Sequence, residues 1–143
     1  MKWDKIFDPY VVKEYKHWML CIHQNQFILG RVYIWAKRED SLDFADITEE
    51  ERDELFEIMK NGKEALTKLF QPDLFNWAAL GNGTYHMHLH LIPRYKTPRK
   101  FNGLEFKDVE WGKRYNSATY EGAPKISEQT VQDIKKAIQG ELS

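Results

Sequence analysis

Three histidines alternate with apolar residues in the second half of the chain. His86, His88 and His90 are separated by one apolar residue each, and the apolar pair Leu91 and Ile92 follows them. Side chains of a strand point alternately to its two faces, so this spacing predicts three imidazoles on one face and apolar side chains on the other. Near neutral pH an imidazole presents an unprotonated nitrogen. The histidine face is therefore the first candidate for chemistry in this sequence.

Three interpretations of the histidine face compete. It could be a polar strand that faces solvent and does nothing. It could bind a metal ion, because two histidines at i and i+2 of a strand can share zinc. The three in line span roughly 13 Å at about 3.3 Å per residue, however, so one ion does not easily take all three, and His17 or His23 would have to complete the site. The pattern favours a third interpretation, nucleophilic attack of a histidine on a phosphate.

The segment before the histidines predicts a second strand and a glycine turn. Residues 74–80 are strand-like, and residues 85–92 form the histidine strand, which Pro93 is expected to close. Two strands joined by a short turn are expected to be antiparallel neighbours. The connecting loop also has the composition that brings backbone N–H groups close to an anion, although an ordinary hairpin turn has it too. The loop consists of Gly81, Asn82, Gly83 and Thr84.

The N-terminal half predicts a hairpin followed by a long helix. Residues 18–35 contain two runs of aromatic and branched residues on either side of a turn at 24–26, which is typical of an antiparallel hairpin. Thr48 and Glu51 form a capping box, and Pro72 ends the apolar stripe that follows. The stripe comprises Leu55, Ile58, Met59, Ala65, Leu66, Leu69 and Phe70. This pattern predicts an amphipathic helix that lies on a sheet.

The last third of the chain carries weaker signals. Residues 94–124 lack periodicity and predict a loop with a short edge strand. Ser127 predicts the start of a final helix, whose stripe of Val131, Ile134 and Ile138 would pack at the periphery or against a partner subunit. Together the elements predict an α+β fold, a mainly antiparallel β-sheet with one long helix packed on it and a C-terminal helix.

Composition limits the class of protein. The chain has 143 residues, of which 42% are hydrophobic, and a formal net charge of -1 at pH 7. These values predict one domain with a core, and no overall basic field to attract nucleic acid or an anionic membrane. Cys21 is alone, so no internal disulfide forms, and the cytoplasm is the expected compartment. We find neither a signal-peptide stretch nor the roughly 20 apolar residues of a membrane span.

The run from His86 to Ile92 resembles the signature of the histidine triad (HIT) family of nucleotide hydrolases and transferases. Further similarity lies at residues 30–38, 44–51, 76–82 and 93–95. Residues 111–115 resemble a segment of bacterial members that are similar to diadenosine tetraphosphate hydrolases. The resemblance implies a HIT-like fold in a single domain over residues 1–143, with a core at about 7–95 and a C-terminal loop and helix at 96–143.

The resemblance implies a covalent mechanism on the histidine face. His88 would attack the α-phosphate of a purine nucleotide and form a nucleotidyl-histidine, which water then hydrolyses to release a nucleoside monophosphate. A main-chain carbonyl near His86 would fix the tautomer of His88, and the His86 side chain would orient and hydrogen-bond. His90 would neutralise phosphate charge and help to protonate the leaving group. No organic cofactor or bound metal is implied, and a divalent cation such as Mg²⁺ is an option with a polyphosphate substrate.

The resemblance also implies binding residues around the triad. Phosphate contacts would come from Asn76 and the loop 81–84. An apolar cleft for the base would come from the first hairpin, where the candidates are Ile22, Phe27 and Ile34. Many members hold the ribose hydroxyls with an acidic or amide residue, and this chain offers His23, with Asn25 close by. The stretch Ala36-Lys37-Arg38-Glu39 lacks a histidine that the family carries there.

Several assignments stay open at this level. The basic, aromatic stretch 94–101 could bind outer phosphates or a second base, or it could be a solvated loop. The resemblance implies a homodimer in which two subunits join their sheets. Two other functions compete with hydrolysis: a nucleotide-binding interaction protein with little turnover, and a metal-dependent hydrolase that uses the three histidines as ligands. The sequence does not separate diadenosine polyphosphates from nucleoside phosphoramidates as substrates. Packing rather than base stacking is expected of Trp3, Trp18, Trp35 and Trp77.

Overall fold

A five-stranded sheet and two helices make up the fold. The computed structural model describes residues 1–40, 43–115 and 126–142. The strands are β1 (Val11–Glu14), β2 (Trp18–Ile22), β3 (Val32–Ala36), β4 (Leu74–Ala78), β5 (His88–Arg94), β6 (Arg99–Phe101) and β7 (Leu104–Phe106), and the helices are α1 (Glu49–Phe70) and α2 (Glu128–Glu141). The five-stranded sheet has the order β1-β2-β3-β5-β4 with antiparallel neighbours, and β6 and β7 form a separate hairpin.

Both helices pack on one face of this sheet. Leu20 of β2 and Leu91 of β5 share a buried cluster with Ile58 of α1 and Ile134 of α2. The opposite face has its own smaller buried cluster around Cys21. The predicted α+β fold, with one long helix on a mainly antiparallel sheet and a C-terminal helix, is confirmed. None of the helices in the described part of the chain is long and apolar enough to cross a lipid bilayer.

The first hairpin is confirmed, but its second strand begins later than the sequence predicts. β3 starts at Val32, and residues 23–31 form the connection. The reason is the buried side chain of Gln26, which donates to the carbonyl oxygens of His23 and Arg31 and accepts from the N–H of Gly30. These bonds satisfy backbone groups that a strand would otherwise pair. Gly30 has a φ of +86°, which favours glycine.

The long helix begins and ends where the sequence predicts. Thr48 and Glu51 form the capping box, and the chain leaves α1 through Gln71 in the left-handed conformation, just before Pro72. The indole N–H of Trp18 donates to the carbonyl oxygen of Glu51 at 2.8 Å. This bond attaches the first turn of α1 to strand β2, so that the helix position and the sheet position are coupled.

Strand β5 differs from the prediction at both ends. It begins at His88 rather than at residue 85, and it continues through Pro93 to Arg94, so Pro93 does not close it. The N–H of Asp73 donates to the carbonyl of Arg94, so the backbone polar groups of Arg94 face β4. Neighbouring residues of a strand face opposite sides, so the nitrogen of Pro93, which has no hydrogen, faces β3. Pairing with β3 ends at Leu91, so no ladder bond is lost.

The C-terminal region contains more structure than a loop. Residues 99–106 form the β6–β7 hairpin where only a short edge strand was expected, and residues 116–125 of the predicted loop lie outside the described residues. Ser127 caps α2 as predicted. The stripe of Val131, Ile134 and Ile138 is buried in the core of this chain, and α2 packs against α1 and the edge strand β1. It is therefore not a contact surface for a partner subunit.

Arg94 joins the end of β5 to the segment after β7. Its guanidinium binds the Asp108 carboxylate through two nitrogens, at 2.7 and 3.1 Å, and also donates to Asn76 and to the carbonyls of Glu110 and Lys113. Arg94 is 2% exposed and Asp108 is 7% exposed. A buried ion pair of this kind is costly to break on one side, because the remaining charge has no water to solvate it.

Asp108→Asn should therefore destabilise the protein by about 3 kcal/mol, since it leaves the buried Arg94 cation without its counter-charge. Urea denaturation followed by circular dichroism measures the free energy of unfolding. Asp53→Asn is the matched control, because Asp53 pairs with Arg52 on the surface of α1 and should change stability by less than about 1 kcal/mol. Equal stabilities of the two variants would show that the pair does not hold the C-terminal segment.

Candidate active site

Strand β5 places two histidines on the sheet face opposite the helices. In the pairing with β3, Trp35 lies opposite His88 and Tyr33 lies opposite His90. The ring centroids of His88 and His90 are 4.9 Å apart, while Leu89 between them is buried in the core. The alternation of the sequence is thus realised, and each imidazole on this face has an aromatic neighbour across the ladder.

His86 precedes the strand and joins the same face by stacking. Its ring lies over Trp35 with a centroid distance of 4.1 Å and an interplanar angle of 20°. Its Nε2 is 2.7 Å from the carbonyl oxygen of Ala36. A carbonyl oxygen only accepts, so Nε2 carries the proton. Burial lowers the pKa of His86, so the ring is neutral near pH 7, and stack and hydrogen bond together hold this residue in place.

The tautomer of His88 follows from a single contact. Its Nδ1 lies 2.7 Å from the carbonyl oxygen of His86, and Nδ1–H must therefore be the donor. The neutral ring then has its lone pair on Nε2, the atom that a nucleophilic histidine uses. His88 lines a cavity in this face. The site thus contains an imidazole whose orientation and proton position are fixed by the backbone.

His90 and His23 are neutral members of the same cluster. Their ring centroids are 6.2 Å apart. Burial, followed by the neighbouring His88 and Arg31, lowers the pKa of His90 to about 4. Burial, followed by Arg31, lowers the pKa of His23 to about 3. At neutral pH both rings can donate one hydrogen bond each, but neither carries a positive charge to set against a phosphate.

The fifth histidine, His17, does not join the cluster. It lies 3.2 Å from the Glu50 carboxylate at the start of α1. Within the described residues, no group of three or more His, Cys, Asp or Glu side chains is arranged to hold a metal ion. Cys21 lies buried beneath the site, and burial raises the pKa of its thiol to about 12.

The cavity in front of His88 has a volume of about 240 Å³ and a mainly aromatic wall. Part of the wall comes from the N-terminal segment, in which Trp3 meets Trp35 edge to face at 5.5 Å. Flat aromatic and aliphatic walls around a few polar atoms are typical of pockets for planar ligands. The remaining apolar wall is formed by Phe7, Tyr10, Ile22, Tyr33 and Trp35.

The residues predicted to contact the phosphate and the ribose divide between this aromatic cavity and a second cleft. Thr84 and His23 line the aromatic cavity, whereas Asn76 and Asn82 line the cleft, and His90 borders both. The side-chain oxygen Oδ1 of Asn76 accepts from Arg94 at 2.8 Å, so the side-chain nitrogen Nδ2 is the atom left to donate to a ligand. Gly81 has a φ of +66°, which lets the loop 81–84 turn beside the histidines, and Gly83 belongs to the same loop.

The base-cleft candidates are only partly brought together. Ile22 lines the aromatic cavity, although it is also fully buried in the core. Ile34 is buried in the same core and Phe27 packs against it, and neither lines the cavity, so the prediction is wrong for these two. Ile34 lies on the helix-covered face of β3, and Phe27 lies in the connection before that strand. The sequence analysis starts the second strand too early, so its alternation does not show which face these residues occupy. Asn25 donates its N–H to Nδ1 of His23 at 3.0 Å and supports that ring.

The basic stretch 94–101 is not a phosphate site at its two arginines. Arg94 is enclosed by its contacts with Asp108 and three other partners, as described above. Arg99 donates to the carbonyls of Phe70 and Gln71 at the C-terminal end of α1. Both guanidiniums serve the fold, because main-chain and carboxylate oxygens in this chain already use their donors.

Two groups of cavity residues escape the sequence analysis. Tyr33 and Trp35 sit on the histidine side of β3, and the alternation from Val32 onward could have identified them. The N-terminal segment has no periodicity that would place it over the cavity. Of the four tryptophans expected to pack, Trp18 is fully buried, but Trp3 and Trp35 line the aromatic cavity and Trp77 lines the second cleft.

The sheet, the long helix and the paired histidines define an α+β protein with a histidine site on the open sheet face. A family model described as HIT domain matches residues 10–97, more than half of the chain. The chain therefore belongs to the HIT domain family. No curated protein matches it significantly.

Solved structures show the same fold at low sequence identity. A histidine triad (HIT) protein from Sinorhizobium meliloti is 16% identical, with 99% of this chain and 96% of that chain covered and a TM-score of 0.71. A histidine triad protein from Marinobacter aquaeolei is 20% identical, with 99% and 95% covered and a TM-score of 0.69. A hypothetical histidine triad nucleotide-binding protein from Sulfolobus tokodaii is 15% identical, with 92% and 82% covered and a TM-score of 0.67. The narrower likeness to diadenosine tetraphosphate hydrolases stays a prediction.

The neutral histidines make stability depend on pH. The pKa values of His23 and His90 in the folded protein lie below 6.5, so below that pH the unfolded chain binds protons that the folded chain does not. Stability should be greatest above pH 6.5, and each ring should lower it by about 1–2 kcal/mol at pH 5. Urea unfolding at pH 7 and pH 5 measures the loss. His23→Gln should make the loss of unfolding free energy at pH 5 smaller by about 1–2 kcal/mol, and His23→Gln/His90→Gln should make it smaller still. A loss that is the same in all three proteins would contradict the burial of these histidines in neutral form.

Proposed function

We propose that this protein hydrolyses a purine nucleotide at its α-phosphate through a covalent nucleotidyl-histidine on His88. The observation that carries the proposal is the hydrogen bond from Nδ1–H of His88 to the carbonyl of His86, which leaves Nε2 as the ring nitrogen available for attack in a residue that lines the aromatic cavity. Membership of the HIT domain family supports it, since the histidine signature carries that chemistry in the family. The products are a nucleoside monophosphate and the leaving group.

The residues around His88 suit successive parts of this reaction. Nε2 forms a bond to the α-phosphorus while the bond from phosphorus to the leaving group breaks, and the leaving group takes the electron pair. A water oxygen then attacks phosphorus and returns the electron pair to Nε2. Approach of the phosphate raises the pKa of His90 toward its ordinary range, so His90 can donate a proton or a hydrogen bond to the departing atom. Thr84 and the amide of Asn76 donate to the phosphate oxygens.

The aromatic cavity would hold the base and sugar. Trp3, Phe7 and Tyr33 offer flat apolar surface for a purine, and the Nε2–H of His23 can donate to a ribose hydroxyl. The proposal requires no organic cofactor and no resident metal. A divalent cation is expected to accompany a polyphosphate substrate rather than to belong to the site. A cytoplasmic location, with no nucleic-acid or membrane partner, is part of the proposal.

His88→Ala should abolish turnover. Diadenosine tetraphosphate and adenosine phosphoramidate are offered to the wild type with magnesium and with EDTA, and AMP is measured by chromatography. We expect AMP release that falls at least about 10³-fold in His88→Ala, because the nucleophile is lost. His17→Ala is the matched control, since His17 pairs with Glu50 outside the cavity, and it should retain wild-type activity. Alkaline quench and mass spectrometry should find a nucleotidyl adduct on the peptide that contains His88.

Other outcomes separate the competing functions. Purine nucleotide binding with no AMP release from either substrate would indicate an interaction protein. Activity with both substrates that EDTA abolishes and zinc restores, in protein that contains stoichiometric zinc, would indicate a metal-dependent hydrolase. Retained turnover in folded His88→Ala would contradict the covalent mechanism itself.

A homodimer is the second part of the proposal. β4 is an edge strand whose Leu74 and Trp77 side chains are 51% and 36% exposed, whereas the other edge strand, β1, is bonded to α2 through Gln139. An edge strand with exposed apolar side chains has unpaired backbone groups that can pair with an edge strand of a second subunit. Light scattering should give a dimer for the wild type and a monomer for Leu74→Lys. Phe56→Lys, at an exposed apolar position of α1, should leave the dimer intact. A monomeric wild type would exclude the joined sheet.

A further inference from the structure

The second cleft adjoins the candidate active site. It has a volume of about 1010 Å³ and is lined by β4, by Arg31 just before β3, and by residues 111–115. His90 lines both this cleft and the aromatic cavity, so the two spaces meet at its ring. A substrate that reacts at His88 and His90 can therefore extend from one space into the other.

Arg31 is an unusual cation in this cleft. It is 9% exposed, and the structure gives it no carboxylate partner among the described residues. One terminal nitrogen donates to the hydroxyl of Tyr115 at 2.9 Å, and the guanidinium lies 4.8 Å from the centroid of the Tyr115 ring. Its Nε is buried and has no hydrogen-bond partner in the described residues. Burial lowers the pKa of Arg31, which reflects the cost of holding this charge away from water.

Further donors surround the same space. Lys113 and Arg114 line the cleft, are exposed, and form no ion pair within the described residues. The Nδ1 atom of His90 is also buried without a hydrogen-bond partner among those residues. A buried arginine is normally paired with an acidic group, because an unpaired one is destabilising. No described residue supplies this acidic partner, and an anion that enters the cleft from solvent can take its place.

We propose that the cleft binds a polyphosphate leaving group, and that Arg31 is the residue that selects it. This inference rests on the proposed function and deepens it. The nucleoside and its α-phosphate occupy the aromatic cavity and the triad, and the remaining phosphates lie along Arg31, Lys113 and Arg114. When Nε2 of His88 bonds to the α-phosphorus, the bond from that phosphorus to the bridging oxygen breaks. The oxygen keeps the electron pair and leaves as the terminal oxygen of a nucleoside polyphosphate, and Arg31 neutralises the negative charge that this oxygen gains.

Selection arises because the two substrate classes differ in leaving-group charge. The leaving group of a phosphoramidate is an amine without negative charge, so it gains nothing from a cation. A departing polyphosphate gains negative charge, and an arginine fork beside it forms charge-assisted hydrogen bonds that strengthen in the transition state. Arg31 should therefore favour dinucleoside polyphosphates over phosphoramidates.

The experiment compares kcat/KM for diadenosine tetraphosphate and for adenosine phosphoramidate in matched variants. Arg31→Met should lower the first value by about 10- to 100-fold and change the second by less than about 3-fold. Arg114→Gln, at an exposed position, should lower only the first, by about 3- to 10-fold. Lys136→Gln, an exposed residue of α2, should change neither. An equal loss with both substrates, or no loss in Arg31→Met and Arg114→Gln, would overturn the inference.

A binding measurement separates this inference from the proposed function. Tripolyphosphate is titrated calorimetrically into wild type, Arg31→Met and Lys136→Gln at low and high salt. We expect binding that weakens with salt and is reduced at least about 10-fold in Arg31→Met alone. If the wild type hydrolyses neither substrate but binds tripolyphosphate through Arg31, the proposed function fails and the anion cleft stands. If the wild type is active but tripolyphosphate binding does not depend on Arg31, the cleft proposal fails and the proposed function stands.

Discussion

A carbonyl oxygen can only accept a hydrogen bond, and the candidate site depends on that restriction. The carbonyl of Ala36 fixes the proton of His86, and the carbonyl of His86 fixes the proton of His88. A carboxylate in either place would favour the charged imidazolium, because it raises the pKa of a neighbouring histidine. Main-chain acceptors orient the rings without adding charge. The His88 ring is therefore fixed in direction, and Nε2 is the ring nitrogen left for a ligand.

These acceptors are held by the sheet that carries them. β5 pairs with β3 on one side and β4 on the other, and its apolar side chains pack beneath α1. A shift of one residue in this strand would send the histidines into the core and the leucines into the cavity, so burial of one face fixes the register of the other. Trp18 connects the sheet to the first turn of α1 through its bond to Glu51. The packing of the core therefore fixes the positions of the histidines.

The sequence predicts what local patterns encode. The alternation of His86, His88 and His90 with apolar residues predicts the site face, and the capping box at Thr48 predicts the start of α1. The prediction of the start of β3 fails because the side chain of Gln26 binds the backbone groups before that strand. No periodicity in the sequence marks such a residue. The sequence analysis also expects Arg94, because of its charge, to face solvent or to bind phosphate. In the structure Arg94 instead pairs with Asp108, which lies 14 residues further along the chain. Long-range pairing of this kind has no local signature.

The contrast between Arg94 and Arg31 shows how a fold separates structural charge from charge kept for a ligand. Arg94 binds two carboxylate oxygens and three further acceptors, so its donors are used within the chain. Arg31 is nearly as buried, yet a tyrosine hydroxyl is its only hydrogen-bond acceptor in the described part of the chain. On the other side of His90 the aromatic cavity offers flat apolar surface. A nucleotide whose ring lies in the aromatic cavity reaches Arg31 with its phosphates only by passing His90, the residue that borders both spaces.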